Sequence, residues 1–193
     1  MSEGLLQIRW HGRGGQGAKT AASMVAEVAV EAGKCAQAAP EYGAEREGAP
    51  IKAYTRIAGD MIRVHDAIYY PDIVVVLDDT LVESQRVDSG LSEDGILLVN
   101  TRQTPAEVRE GLGLEGRRIY TIDATSIALK EIGRPIPNTV MIGALGAVTG
   151  VVDADHIKKS IEKKLGGKLS EGMLKGNFRA VERAFEEVKG ENG

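Results

Sequence analysis

The 193-residue chain carries one cysteine, Cys35, and that scarcity removes several kinds of chemistry at once. A lone thiol cannot close an internal disulfide, supply the four thiolates of an iron–sulfur cluster, or build a cysteine-rich zinc site. The three histidines, His11, His65 and His156, are scattered without metal-ligand spacing, so local hydrogen bonding is the expectation for each; His11 stands out because it adjoins a glycine-rich turn. Aromatics are sparse as well: two Phe, one Trp and five Tyr argue against a platform for stacking bases. A dominant charge is also missing, since the net value of −4 gives no broad attraction to nucleic acid or to an anionic membrane. No apolar run reaches the ~20 residues that span a bilayer. The first residues lack the basic and then apolar pattern of a secretory signal. A cytoplasmic protein with no nucleic-acid and no membrane partner is expected.

What is present is an ordinary globular composition, 42% hydrophobic and 27% charged, on a length that suits one domain over residues 1–193. Gly12-Arg13-Gly14-Gly15-Gln16-Gly17 follows the run Leu5-Leu6-Gln7-Ile8-Arg9-Trp10 and leads into a helical pattern. It fits G-x-G-x-x-G, in which glycines let a strand-to-helix turn approach a pyrophosphate at the helix N-terminus. An acidic residue should then close the next strand to hold the ribose hydroxyls. Here the second strand ends in Gln37-Ala38-Ala39-Pro40, and Glu41 follows the proline, so the fingerprint is incomplete. Two readings stay open: an anion-cradling loop served by Arg13, Gln16 and Lys19, or a tight connection beneath a close-packed helix.

Ala18, Ala21, Ala22, Val25, Ala29 and Ala32 recur at helical spacing up to Gly33, which caps the run. Lys34 to Ala39 reads as a short strand. Ile51 to Ile57 reads as a half-exposed, antiparallel one, with Lys52, Tyr54 and Arg56 on its polar side. Ile73 to Leu77 and Gly95 to Val99 are β-branched runs of buried central strands, and Asp78-Asp79 after the first reads as a helix cap rather than a metal site. Thr104-Pro105-Ala106-Glu107 is a capping box opening a helix, and Arg118 to Asp123 is a further strand. Beyond Pro137 the pattern is helical, with Asn138 and Asp153 as caps. The stripe Leu174, Phe178, Val181, Phe185 and Val188 is expected to dock on the sheet, and Gly190 to Gly193 to form an unpacked tail. The fold class is α/β: a three-layer sandwich with a mainly parallel, Rossmann-like sheet, one antiparallel strand and a helical C-terminal third.

Pro40-Glu41-Tyr42-Gly43-Ala44-Glu45-Arg46-Glu47-Gly48-Ala49-Pro50 is dense in charge and longer than a compact domain needs between two strands, which marks a contact surface or a site. The first part of this loop, Pro40 to Arg46, and the glycine motif together resemble the gamma subunit of the 2-oxoacid:ferredoxin oxidoreductases, of which pyruvate synthase is the best-known type. The likeness continues through Pro71 to Asp78, Pro137-Asn138-Thr139 and Leu145-Gly146-Ala147, and it departs at Glu47-Gly48-Ala49, where a second basic residue and paired glycines are common. It implies a shared catalyst: alpha and beta subunits holding thiamine diphosphate and magnesium, a ferredoxin-like delta subunit holding iron–sulfur clusters, ferredoxin as electron acceptor and coenzyme A as co-substrate. This chain would hold no cofactor alone and no metal. Gly12, Arg13, Gly14, Gly15, Gln16, Gly17, Glu41, Tyr42, Glu45 and Arg46 would form its contact face near the active site. An independent NAD- or flavin-dependent oxidoreductase and a purely structural interaction subunit are the alternatives.

Overall fold

The two β-branched runs occupy the middle of a seven-stranded sheet in the computed structural model, which describes residues 4–41 and 47–191. In chain order the elements are β1 (Leu5–Arg13), α1 (Ala18–Glu31), β2 (Cys35–Pro40), β3 (Pro50–Ala58), β4 (Ile73–Val76), α2 (Leu81–Ser84) and β5 (Ile96–Asn100). There follow α3 (Pro105–Leu112), β6 (Arg118–Ile122), α4 (Ala124–Ile132), α5 (Asn138–Thr149), α6 (Ala154–Leu165), α7 (Glu171–Glu187) and β7 (Lys189–Gly190). The spatial order is β2-β3-β1-β4-β5-β6-β7, with β1, β4, β5 and β6 parallel and β3 antiparallel to both its neighbours.

Val75, Leu77, Leu98 and Trp10 lie on the side covered by α1, α4 and α5, with α6 and α7 behind them, whereas Val74, Val76, Leu97 and Val99 face α2 and α3. Both sides of the central strands are therefore apolar, which is why β4 and β5 read as unbroken runs rather than alternating ones. Ala18, Ala21 and Ala22 let α1 approach the sheet closely. The contact is pinned by a buried relay in which Trp10 Nε1 donates to Thr55 Oγ1 at 3.0 Å and that hydroxyl donates to the Ala22 carbonyl at 3.0 Å. Gly33 (φ 80°) ends α1, one residue past its cap at Ala32. The capping box at α3 forms as read: Glu107 N donates to Thr104 Oγ1 and Thr104 N to Glu107 Oε2. Asp153 caps α6 through His156 N.

Several expectations need correction. β3 is not half-exposed: Tyr54, Thr55, Arg56 and Ile57 are buried, because the irregular segment 59–72 folds back over its polar side. Pro137, not Asn138, occupies the α5 cap position; Asn138 lies in the first turn and its Oδ1 accepts from Thr139 N. The α7 stripe docks on helices α4, α5 and α6 rather than on the sheet, since α5 already covers the strands. The chain does not fray at Gly190, which pairs with Tyr120 as part of β7.

Candidate functional site

β1 runs on to Arg13, so Gly12 belongs to the strand and the turn itself is Gly14 to Gly17. A Cβ on Gly12 would sit 3.2 Å from Ala18 Cβ, so this glycine serves close strand–helix packing. Gly15 (φ 99°) and Gly17 (φ 80°) take left-handed conformations that favour glycine, and Gly17 is the α1 N-cap, with no side chain capping the helix. The chain leaves β1 and β4 to opposite sides of the sheet, into α1 and α2 respectively. The carboxyl ends of these two strands therefore form the topological switch point, where open α/β sheets place ligands.

Arg13 and Gln16 bind across that point to the end of β4. Gln16 Oε1 accepts from Arg13 N at 2.8 Å, and its Nε2 donates to Asp78 Oδ2 at 2.6 Å. Arg13 Nη2 donates to Thr80 Oγ1 at 2.8 Å, Nη1 to the Gly48 carbonyl at 3.1 Å, and Nε lies 3.4 Å from Asp78 Oδ2. Asp78 is thus no simple helix cap but the anchor of the glycine turn. Partial burial pushes its pKa up, but hydrogen bonds from Thr80 and Gln16 and the charge of Arg13 outweigh this and hold it below the ordinary carboxylate value. Gly14 N donates to the Ala49 carbonyl and Gly48 N to the Gly14 carbonyl, so the end of the charged loop zips onto the glycine turn.

On one side of the turn lies a crevice of about 550 Å³, bordered by Gly14, Gly15, Gly17, Lys19, Thr20 and Glu47. On the other lies one of about 650 Å³ across the ends of β4, β5 and β6, with Asp78, Asp79, Asn100, Arg102 and Asp123 in its wall. Asn138 closes over the turn: a Cβ on Gly17 would lie 2.6 Å from its Nδ2. Among the described residues no group of three His, Cys, Asp or Glu gathers to hold a metal. No helix among them is long and apolar enough to cross a membrane.

Of the expected face, Gly12 to Gly17 and Glu41 are described; Tyr42, Glu45 and Arg46 lie outside the described residues. Glu41 continues β2 by donating its N–H to the Lys52 carbonyl at 3.0 Å, and its carboxylate lies 3.6 Å from Lys52 Nζ. The dinucleotide reading fails here for a physical reason. β3 is inserted between β1 and β2, which moves the end of the second strand a further ~4.8 Å strand spacing from the glycine turn. The one acid there is engaged by Lys52 and by the Tyr54 hydroxyl.

One cluster was legible in the sequence only in part, as the polar side of β3. The cross-strand rows Gln37–Arg56–Gln7, Ala39–Tyr54–Arg9 and Glu41–Lys52–His11 build a polar face across β2, β3 and β1. Arg9 is 6% exposed; its Nε donates to His11 Nε2 at 3.0 Å, and its Nη groups donate to the carbonyls of Ile68, Tyr69, Val87 and Ser89. Burial, then the charges of Arg9 and Lys52, push His11 down to about 3, so its imidazole is neutral. Burial, then Glu41, pushes the Tyr54 phenol up to about 12. The polar alternation at Gln7, Arg9 and His11 was the available signal.

The model of the family described as pyruvate ferredoxin/flavodoxin oxidoreductase matches residues 7–187. The chain belongs to that family. Within the oxidoreductase family, it is 55% identical to pyruvate synthase subunit PorC of Thermotoga maritima, over 95% of this chain and 94% of that one. The crystal structure of that organism's PORC subunit superimposes with a TM-score of 0.86, covering 98% and 99% of the two chains. The common gamma subunit of the pyruvate/ketoisovalerate oxidoreductases of Pyrococcus abyssi is 45% identical over 96% of this chain and 98% of that one. The fold also recurs, at 20% identity and a TM-score of 0.76, in 31% of a chain of 2-oxoglutarate:ferredoxin oxidoreductase from Magnetococcus marinus, solved with coenzyme A bound.

Proposed function

We propose that the chain is the gamma subunit of a pyruvate:ferredoxin oxidoreductase, a complex that oxidatively decarboxylates pyruvate, passes the electrons to ferredoxin and delivers the acetyl group to coenzyme A. The observation that carries this is 55% identity to a pyruvate synthase subunit across nearly the whole chain, with the same fold throughout. The chemistry of the chain fits a subunit that does not carry the redox groups. Its single thiol, Cys35, cannot supply the four thiolates of an iron–sulfur cluster. On this reading those groups belong to alpha, beta and delta chains. Reconstitution tests it: adding this chain to the remaining subunits restores pyruvate- and coenzyme A-dependent reduction of ferredoxin. Full turnover without it would reject the reading.

The role of the glycine turn on this reading is to meet the phosphates of coenzyme A. The N-terminus of α1 has no side-chain cap and borders the 550 Å³ crevice together with Lys19, so partial and full positive charge converge on one open space. Arg13 and Gln16 fix the turn from behind rather than reaching into that crevice. Glu41 with Tyr42, Glu45 and Arg46 would complete the face toward the partner subunits. Calorimetry of the intact complex with coenzyme A measures this: Arg13→Ala loosens the turn and weakens binding about tenfold, which is ~1.4 kcal/mol. An unchanged affinity removes Arg13 from the site.

A further inference from the structure

The polar face of β2, β3 and β1 opens into a cleft of about 380 Å³ between the sheet and segment 59–72, bordered by Gln37, Ala39, Tyr54, Arg56 and His65. Arg56 is 3% exposed, yet its guanidinium meets neutral acceptors: Gln7 Oε1 at 3.3 Å and the Asp66 carbonyl at 2.7 Å. Arg9, one strand over, is spent on carbonyls and on a neutral imidazole. Among the described residues neither guanidinium forms an ion pair with a carboxylate within 4.0 Å. The carboxylates of Asp88 and Glu41 favour the charged Arg9, and that of Asp66 the charged Arg56, through space and without an ion pair. Two buried cations with no contacting anion are costly, and a bound anion offsets that cost directly. Glu41 does not serve, because Lys52 and Tyr54 already engage it.

We propose that this cleft is an oxyanion site, in which a carboxylate or phosphate sits against the Arg56 guanidinium with His65 at the rim. The volume admits inorganic phosphate or a small carboxylic acid and is too small for most of a nucleotide cofactor. The site is separate from the glycine turn: Arg56 pairs with Gln7, six residues before Arg13 along β1, a distance of ~20 Å at strand rise. It also stands whether or not coenzyme A touches that turn. Two sources share the chemistry, a free small oxyanion and the acidic side chain of a partner subunit.

Isothermal titration of the full chain with inorganic phosphate and with acetate, at constant ionic strength, tests the proposal. Saturable one-site binding is expected for wild type, weakened tenfold or more by Arg56→Gln and several-fold by His65→Ala. Arg56 also holds segment 59–72, so Ala39→Glu provides a second variant that places a carboxylate in the cleft from β2 and abolishes binding without removing a buried residue. Binding that persists in the assembled complex assigns the site to a free oxyanion; binding lost only there assigns it to a partner's carboxylate. Absence of saturable binding to the isolated chain, or wild-type affinity in both Ala39→Glu and His65→Ala, overturns it.

Discussion

Gly17 is the residue on which the glycine turn depends most, and the structure separates two reasons for it. Its φ of 80° is left-handed, which costs an L-residue roughly 1–2 kcal/mol. A Cβ there would also stand 2.6 Å from Asn138 Nδ2 and 2.9 Å from its Cγ, an overpacking worth about 1–3 kcal/mol. Gly17→Ala is therefore expected to destabilise the chain by roughly 2–5 kcal/mol, or on the order of 10 °C in Tm at this size. Asn138→Ala removes Nδ2 and Cγ and leaves only Cβ, at 3.1 Å from the new methyl. In that background Gly17→Ala should cost only the backbone share, ~1–2 kcal/mol, giving a coupling of ~1–3 kcal/mol in a urea-unfolding double-mutant cycle. Additivity within about 0.5 kcal/mol would refute the contact as the cause and leave the φ angle alone responsible.

Two further outcomes follow from buried groups. The unfolded chain protonates His11 below its ordinary pKa of 6.5, whereas the folded chain resists until about 3, so stability falls as pH drops through that window. The slope is up to ~1.4 kcal/mol per pH unit; His11→Gln, which keeps an acceptor for Arg9, should lose ~2 kcal/mol less than wild type between pH 7 and 5 in urea unfolding, and parallel pH curves would sink the assignment. Within α7, a Cβ on Gly176 would meet the Glu131 carbonyl at 2.1 Å, whereas one on Gly172 meets open space. Gly172→Ala should thus gain up to ~1 kcal/mol of helix propensity while Gly176→Ala loses ~1–2 kcal/mol net, and shifts of the same sign by thermal melting would contradict the packing.

Much of the architecture was legible because local chemistry and tertiary context agreed. The runs Ile73–Leu77 and Gly95–Val99 are buried on both faces, and the Thr104–Glu107 box closes on itself, so neither needs distant information. What was illegible depended on contacts far apart in sequence. Gln7 and Arg9 vanish inside an apparently apolar run because they reach carbonyls some 60 to 80 positions later, and carbonyls have no sequence signature. Asp78 looked like a cap because Gln16, its partner, lies 62 residues away. Asn138 looked like one because asparagine favours caps, but its surroundings include the αL glycine on which it rests. The family resemblance, read on Gly12 to Gly17 and Pro40 to Arg46 together rather than on the glycine turn alone, agrees with the family to which the chain belongs. Of the expected contact face, Glu41 is exposed and pairs with Lys52, and Tyr42, Glu45 and Arg46 lie outside the described residues.

The hold that Arg9 and Arg56 exert on segment 59–72 has an evolutionary consequence. They grasp it at the carbonyls of Asp66, Ile68 and Tyr69, and every amino acid presents the same carbonyl. The outward side chains of that segment, Met61 at 76% exposure and Tyr70 at 79% among them, are therefore decoupled from what keeps it in place. Substitutions there can change what the surface recognises while the strap beneath stays seated, so this is where lineages can alter partners at little expense to the fold.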